Sequence, residues 1–353
     1  MSPSPHGSAQ IKGFEMTSTQ DAAADEDWGR KLGRYRTPSA WRGAFELAIT
    51  AIPFVLCWYA MYWSLQQGYL WIYLGLLLPT VGFVVRLFLI QHDCGHQAFV
   101  ANRYVNDGIG RLISVLTLTP YDHWRRCHAI HHATSGNLAR RGVGDIDTLT
   151  VAEYQARTRW TRLRYRLYRH PMIMFAIGPF LIFVLQNRLP LGFMRAGWRP
   201  WASTMGTNVA IGVALALVLH WIGLRAFLAV HAPIMLLSSA VGGWLFYVQH
   251  QFETTSWDDA SHWSARSAAL NGSSHYDLPR ILNWFTANIG VHHVHHLSSR
   301  IPFYRLQDVL RDYPPLRELG RLTLLQSLKC VRLTLWDTDT RRLISFRDLK
   351  YRT

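Results

Sequence analysis

Apolar residues fall in five blocks separated by strongly polar stretches: about 43–65, 69–90, 171–187, 203–222 and 226–249. A bilayer core takes about 20 apolar residues of helix. Four blocks reach that length. The third is shorter and is interrupted by Gly178-Pro179. Little more than Gln66-Gln67-Gly68 joins the first two blocks, and Gly223-Leu224-Arg225 joins the last two. Each pair therefore predicts a helical hairpin with a tight turn. The long segments 91–170 and 250–353 then lie together at the opposite end. That end carries Arg125, Arg126, Arg140 and Arg141, and the run Arg157, Arg159, Arg162, Arg164, Arg166, Arg169. Cytoplasmic segments are the ones enriched in Lys and Arg, so this side is read as cytoplasmic.

The block 171–187 has arginines on both flanks: Arg169 before it, and Arg188, Arg195 and Arg199 after it. A crossing would strand one basic cluster outside, so it is read as a re-entrant or interfacial helix. Segment 108–119 is also apolar but too short to span. The fold class expected is all-α integral membrane. Four transmembrane helices form two hairpins, joined by interfacial helices and a cytoplasmic helical cap. Residues 1–40 are polar, with acidic residues between Asp21 and Asp27, and lack a basic-then-apolar leader. They read as a disordered cytoplasmic tail, 41–310 as the membrane domain and 311–353 as a C-terminal cytoplasmic extension.

Hydrophobic residues make up 49% of the 353 positions, and the formal net charge is +15. A basic balance suits nucleic acid, anionic lipid or an acidic protein. The excess of basic residues in cytoplasmic segments accounts for it more simply, and no nucleic-acid partner is expected. Cys57, Cys94, Cys127 and Cys330 form no C-x-x-C pair, which argues against a zinc ribbon or a thioredoxin-type site.

The chain contains 17 histidines. Three clusters stand out: His92 and His96; His128, His131 and His132; His292, His293, His295 and His296. Spacings of three and four residues share one helical face. Neutral imidazole is a ligand for iron, zinc and copper. His6, His170, His220, His231 and His262 stand outside the clusters and read as ordinary surface or core residues. His92 follows the second block directly and His250 ends the fifth, so both lie at the same mouth of the predicted bundle. So many histidines exceed the needs of one ion and suit two. Soluble di-iron proteins use Glu-x-x-His pairs instead, and none occurs here.

The set H-x-x-x-H, H-x-x-H-H, H-x-x-H-H resembles that of the membrane fatty-acid desaturases, over about residues 45–310. His92-Asp-Cys-Gly-His96, the stretch Trp124 to Asn137, and Asn288 to Leu297 with Arg300-Ile-Pro-Phe-Tyr304 are similar to the omega-6 (delta-12-type) branch, bacterial versions included. The resemblance implies an oxygen-dependent enzyme that introduces a cis double bond into an acyl chain with two non-haem iron ions. It implies His92, His96, His128, His131, His132, His292, His295 and His296 as iron ligands, with His250 in the usual place of a ninth. Acyl-CoA desaturases carry an Asn one turn earlier, where this chain has Phe246. His293 is expected to be a neighbour, and His123 and His275 are further candidates. Plausible anchors for the second ring nitrogens are Asp93, Asp145, Asp147 and Glu253, while Asp277 is expected to be solvated.

The resemblance further implies a fatty acyl substrate linked to lipid, CoA or carrier protein. It also implies a ferredoxin or cytochrome b5-like electron donor. No His-Pro-Gly-Gly haem motif is present, so a fused cytochrome b5 domain is not expected. The location expected is a multi-pass membrane protein with its site on the cytoplasmic side, in the inner membrane if bacterial, surrounded by membrane lipids. Alternatives are a hydroxylase or ketolase of the same histidine-rich superfamily, acting on an alkane, fatty acid or carotenoid. A membrane metal-binding protein or transporter is a more remote alternative. Transporters place their ligands near the bilayer midplane, whereas these clusters lie outside the apolar blocks.

Overall fold

Two long apolar helices, Ala40–Gln66 (α1) and Leu70–Gly95 (α2), open the main bundle of a computed structural model that describes residues 27–351. The Ser39 side chain accepts from the Arg42 amide and caps α1. Helix α3, Arg103–Leu116, is capped by Asn102, whose side chain accepts from the amides of Tyr104 and Val105. Helix α4, Tyr121–Thr134, follows. A 53-residue helical run, Trp198–His250 (α5), carries the last two apolar blocks. Helices α1, α2 and α5 are long and apolar enough to cross a membrane.

A straight helix of that length would extend about 80 Å. Near its start, the Ser203 hydroxyl donates to Asp122 at 3.1 Å. At its end, His250 Nε2 lies 3.1 Å from His131 Nε2. Both partners sit on α4, which is only about 21 Å long. The run must therefore double back, and it does so at Gly223, whose φ of 76° and ψ of 160° only glycine readily adopts. The Tyr73 hydroxyl, early in α2, donates to the Ala229 carbonyl just past that turn at 2.8 Å. Both tight turns thus lie at one end of the bundle, and the histidines lie at the other.

The third apolar block is broken, as Gly178-Pro179 predicts. It forms a π-helical turn, Ile173–Ile177, a short helix, Gly178–Val184, and a 3₁₀ turn, Gln186–Arg188. It bends by 59° from the preceding helix, Arg159–Tyr168. Phe175 packs edge-on against Trp244 and Tyr247, one turn before His250. The block is tied to the rest at both ends. The Arg169 guanidinium donates to the Tyr247 hydroxyl at 3.1 Å and to Gln251 at 3.2 Å. The Arg188 guanidinium donates to Asn208 at 2.9 Å and to the Leu118 carbonyl.

The fold is mostly helical, but the region around the histidines is not the purely helical cap expected. Strand β1, Leu149–Thr150, pairs in parallel with β4, Leu335–Asp337, which pairs antiparallel with β5, Arg342–Ile344. Strand β2, His275–Asp277, pairs in parallel with β3, Arg321–Thr323. Runs of two or three residues are too short to show a period-two pattern, and their pairing is fixed by partners far along the chain. The final helix of the site is short, His292–Leu297 (α6).

Two segments near the expected boundaries pack against the main core. Within the expected tail, Trp28–Lys31 is helical, Gly33–Tyr35 forms a 3₁₀ turn, and Trp28, Leu32 and Tyr35 are buried. The Trp28 and Tyr35 rings pack edge-on against Tyr313, and the Tyr35 hydroxyl bonds Asp312 at 2.6 Å. Trp28, Leu32 and Tyr35 stand at i, i+4, i+7 on one helical face, over a stretch too short to stand out in sequence, yet three such side chains suffice to dock it. Residues 1–26 lie outside the described residues. Past residue 310, Leu316, Leu319, Leu322 and Cys330 share one core with Phe303 and Leu306.

Candidate metal centre

Four helices bring nine histidines to one end of the bundle. His92 lies in the last turn of α2 and His96 is its C-cap residue. Helix α4 supplies His128, His131 and His132, and α6 supplies His292, His295 and His296. His250 closes α5. They resolve into two groups: His92, His96, His128, His132 and His295, and His131, His250, His292 and His296. Within each group the ligand-capable atoms all lie within 4.8 Å of one another. The two H-x-x-H-H motifs are used in opposite senses. In α4 the i, i+4 pair serves the first group and the i+3 residue serves the second. In α6 the i, i+4 pair serves the second group and the i+3 residue serves the first.

Distances within the groups suit metal coordination. Nε2 of His132 is 3.1 Å from Nε2 of both His128 and His295. Nε2 of His292 is 3.0 Å from that of His250 and of His296. Nitrogen lies about 2.1 Å from a bound metal such as zinc, and two such ligands at right angles are about 3.0 Å apart. The proton positions add a stronger argument. His131 Nδ1 lies 2.6 Å from the Asp145 carboxylate, and His250 Nδ1 lies 3.2 Å from the Gly272 carbonyl. Asp145 and the Gly272 carbonyl only accept, and the Ser135 hydroxyl lies 3.4 Å from the same His250 nitrogen, so where both rings are neutral these acceptors favour the proton on Nδ1 of each. The two Nε2 lone pairs then face each other at 3.1 Å. Neither can donate to the other, and a cation between them removes the repulsion. In the first group, His96 Nε2 is buried without a protein partner among the described residues.

Electrostatics keep these rings in the ligating form. Burial first, and neighbouring imidazoles second, hold His128, His132, His292, His295 and His296 well below the usual histidine range. They are therefore neutral near pH 7, with a lone pair available. Trp124 stacks on His128 at 4.6 Å, and Phe246 packs against His131 at 5.2 Å. These rings cover the imidazole faces and keep water from them.

The expected anchors divide. Asp145 reaches His131. Asp93 lies 3.4 Å from His92 Nδ1, and its other oxygen accepts from the Phe303 amide at 2.7 Å. Asp147 and Glu253 are exposed, and among the described residues their side chains bond to no histidine. Asp277 pairs with Arg321 at 2.8 Å at the surface. His293 and His275 stand outside both groups. They donate to the carbonyls of Leu316 at 2.8 Å and Arg317 at 2.6 Å, and so fasten that loop. Burial lowers the His293 pKa to about 3, with His275 adding to the effect. His123 faces Phe193 and Cys127 instead. His170, His220, His231 and His262 belong to neither group, and His6 lies outside the described residues.

Sequence reasoning missed Gly144 and Gly272. Gly144 has φ of 72°, and an added Cβ would lie 3.1 Å from both the Cys127 carbonyl oxygen and the His131 Cβ. Only a glycine lets this loop run close enough for Asp145 to meet His131. Its place beside Asp145 in Gly142-Val-Gly144-Asp145 is the one local signal.

Two histidine groups shared between interleaved H-x-x-H-H helices, each able to hold a metal ion, lie at the end of a bundle of membrane-length apolar helices. The chain belongs to the fatty acid desaturase family, whose model matches residues 69–326. It is 42% identical over 339 residues to a fatty acid desaturase of Bacillus subtilis, covering 95% of each chain. It is 28% identical over 237 residues to an sn-1 oleoyl-lipid 12-desaturase of Synechocystis, covering 62% of each. It is also 26% identical to an sn-1 acyl-lipid omega-3 desaturase (ferredoxin) from that organism, over 73% of this chain and 68% of the relative. The protein is an oxidoreductase, a fatty acyl desaturase.

Proposed function

We propose that this chain introduces a cis double bond into an acyl chain with two iron ions. His92, His96, His128, His132 and His295 would hold one, and His131, His250, His292 and His296 the other. The observation that carries this reading is the division of nine rings into two groups, with Nε2 of His131 and of His250 only 3.1 Å apart. Bound iron with dioxygen would supply the oxidant needed for an unactivated C–H bond, which no side-chain acid or base can break. Overall, two adjacent methylenes each lose one hydrogen, and dioxygen takes up two electrons and two protons to leave as two waters. The chain's own residues prepare this. Asp145 keeps the proton on His131 Nδ1 and so aims the Nε2 lone pair inward. Trp124 and Phe246 keep the ring faces dry.

The reading includes four spans with the histidine end at the cytoplasmic surface. The reversal at Gly223 supports two hairpins. The ties of Arg169 and Arg188 support an interfacial place for the third block, because Arg169 reaches Tyr247 and Gln251 while Arg188 reaches Asn208 and Leu118, all toward the histidine end. Thiol labelling of cysteines placed at positions 68 and 300 is expected to find them on opposite faces. Labelling from one face alone would refute the topology. The basic histidine-side segments favour an acidic one-electron donor of ferredoxin type, and one relative is named for ferredoxin.

Expression in a host without polyunsaturated acids, followed by lipid profiling, tests the reaction. The expected product is an acyl chain lighter by two hydrogens, with cis geometry. A product heavier by one oxygen would reassign the chain to hydroxylation.

A further inference from the structure

Helix Arg159–Tyr168 carries two unlike faces that the metal centre does not use. Arg159, Arg162 and Arg166 follow i, i+3, i+7 and share one face. With Tyr154, Leu163 and Leu349 they line a shallow, open cavity of about 280 Å³ at the surface. The Arg162 guanidinium is oriented by the carbonyls of Arg157 at 2.8 Å and Gln155 at 3.1 Å. That of Arg166 donates to the Tyr154 hydroxyl at 2.7 Å and lies over the Phe346 ring at 5.0 Å. Neutral groups thus hold two of the three cations, and among the described residues no carboxylate pairs with any of them. The nearby Glu153 is taken by Arg141.

Trp160, Leu163 and Leu167 follow the same spacing on the adjoining face and are 76%, 45% and 49% exposed. Past the bend, Met172, Ile177 and Leu181 are exposed as well. Arg169, one residue beyond the helix, bonds Tyr247 and Gln251, so the helix sits where the apolar bundle ends.

We propose that this cavity binds the phosphate headgroup of an anionic phospholipid, whose acyl chains lie along the Trp160–Leu163–Leu167 stripe. Three guanidiniums without a counter-ion supply the charge that the phosphate balances, and Arg forks match phosphate oxygens. An apolar edge bordering the cations is what an acyl-bearing anion requires and a free anion does not. Basic pockets at this depth are suited to lipid headgroups. The site depends on the histidine end lying at the membrane surface, but on neither metal nor desaturation.

The test uses the purified full chain in detergent, titrated with phosphatidylglycerol or phosphatidylcholine and read as intact complexes by mass spectrometry. Saturable binding of phosphatidylglycerol is expected over phosphatidylcholine. An Arg159→Ala/Arg162→Ala pair should weaken it about 5-fold per arginine. The Arg159→Lys/Arg162→Lys pair, which keeps the charge but not the fork, should bind between wild type and the alanine pair, separating charge from folding. A chain with His131→Ala and His295→Ala should bind the lipid as before, which keeps this test apart from that of the metal centre. Unchanged affinity in the alanine pair, or equal retention of phosphatidylcholine, would overturn the proposal. So would full displacement of the lipid by inorganic phosphate, which would mark a free-anion site.

Discussion

At the scale of the residue, the decisive contact is Asp145 with His131. The carboxylate fixes which ring nitrogen carries the proton, and without it the His131 lone pair is free to rotate out of the group. Removal of such an outer partner typically costs about 10- to 100-fold in metal affinity. Asp145→Ala is therefore expected to lose one of two bound ions on dialysis against chelator, with the other retained. Metal analysis of the dialysed protein reads this, and retention of both ions would remove Asp145 from that role. Eight of the nine histidines were legible because i, i+3 and i+4 spacing is local information, whereas His250 stands alone in sequence and was placed by the end of the fifth apolar block and by the resemblance. The division into five and four was not legible, because it depends on how α4 and α6 face each other. Asp147 and Glu253 failed as anchors for the same reason. Proximity in sequence placed them near a ligand, but loop conformation turned their side chains to solvent.

At the scale of the element, α2 organises the site. It carries His92 and His96, and it also pins both flanks of α6. The Asp93 carboxylate receives the Phe303 amide. The Arg86 guanidinium bonds Glu46 on α1, the Trp284 carbonyl and the Thr50 hydroxyl, and stacks on Trp284 at 4.2 Å. Arg86 and Glu46 are each 2% exposed. Leaving one charge of such a pair buried and unmatched costs about 3–5 kcal/mol. Arg86→Leu should therefore lower the thermal unfolding midpoint in detergent sharply, and adding Glu46→Leu should restore much of the loss. Equal midpoints for wild type and Arg86→Leu would contradict this role. The apolar blocks made the long helices legible, as composition over about 20 residues is a strong signal. The small sheets and the docked Trp28–Tyr35 segment were hidden. Their stability comes from distant partners such as Tyr313 and Leu335, which no local pattern reveals.

At the scale of the whole molecule, two hairpins present their histidine-bearing ends to one surface. His132 and His295, 163 positions apart in sequence, come within 3.1 Å there. The family match, the paired groups and the membrane-length helices agree on an acyl desaturase. The proposed centre holds two iron ions, one in each histidine group. Iron analysis of the purified chain, alone and with His131→Ala or His295→Ala, tests this most directly. The account predicts two irons in the wild type and about one in each variant, since each substitution falls in a different group. A single iron in the wild type, or two irons retained in either variant, would contradict it.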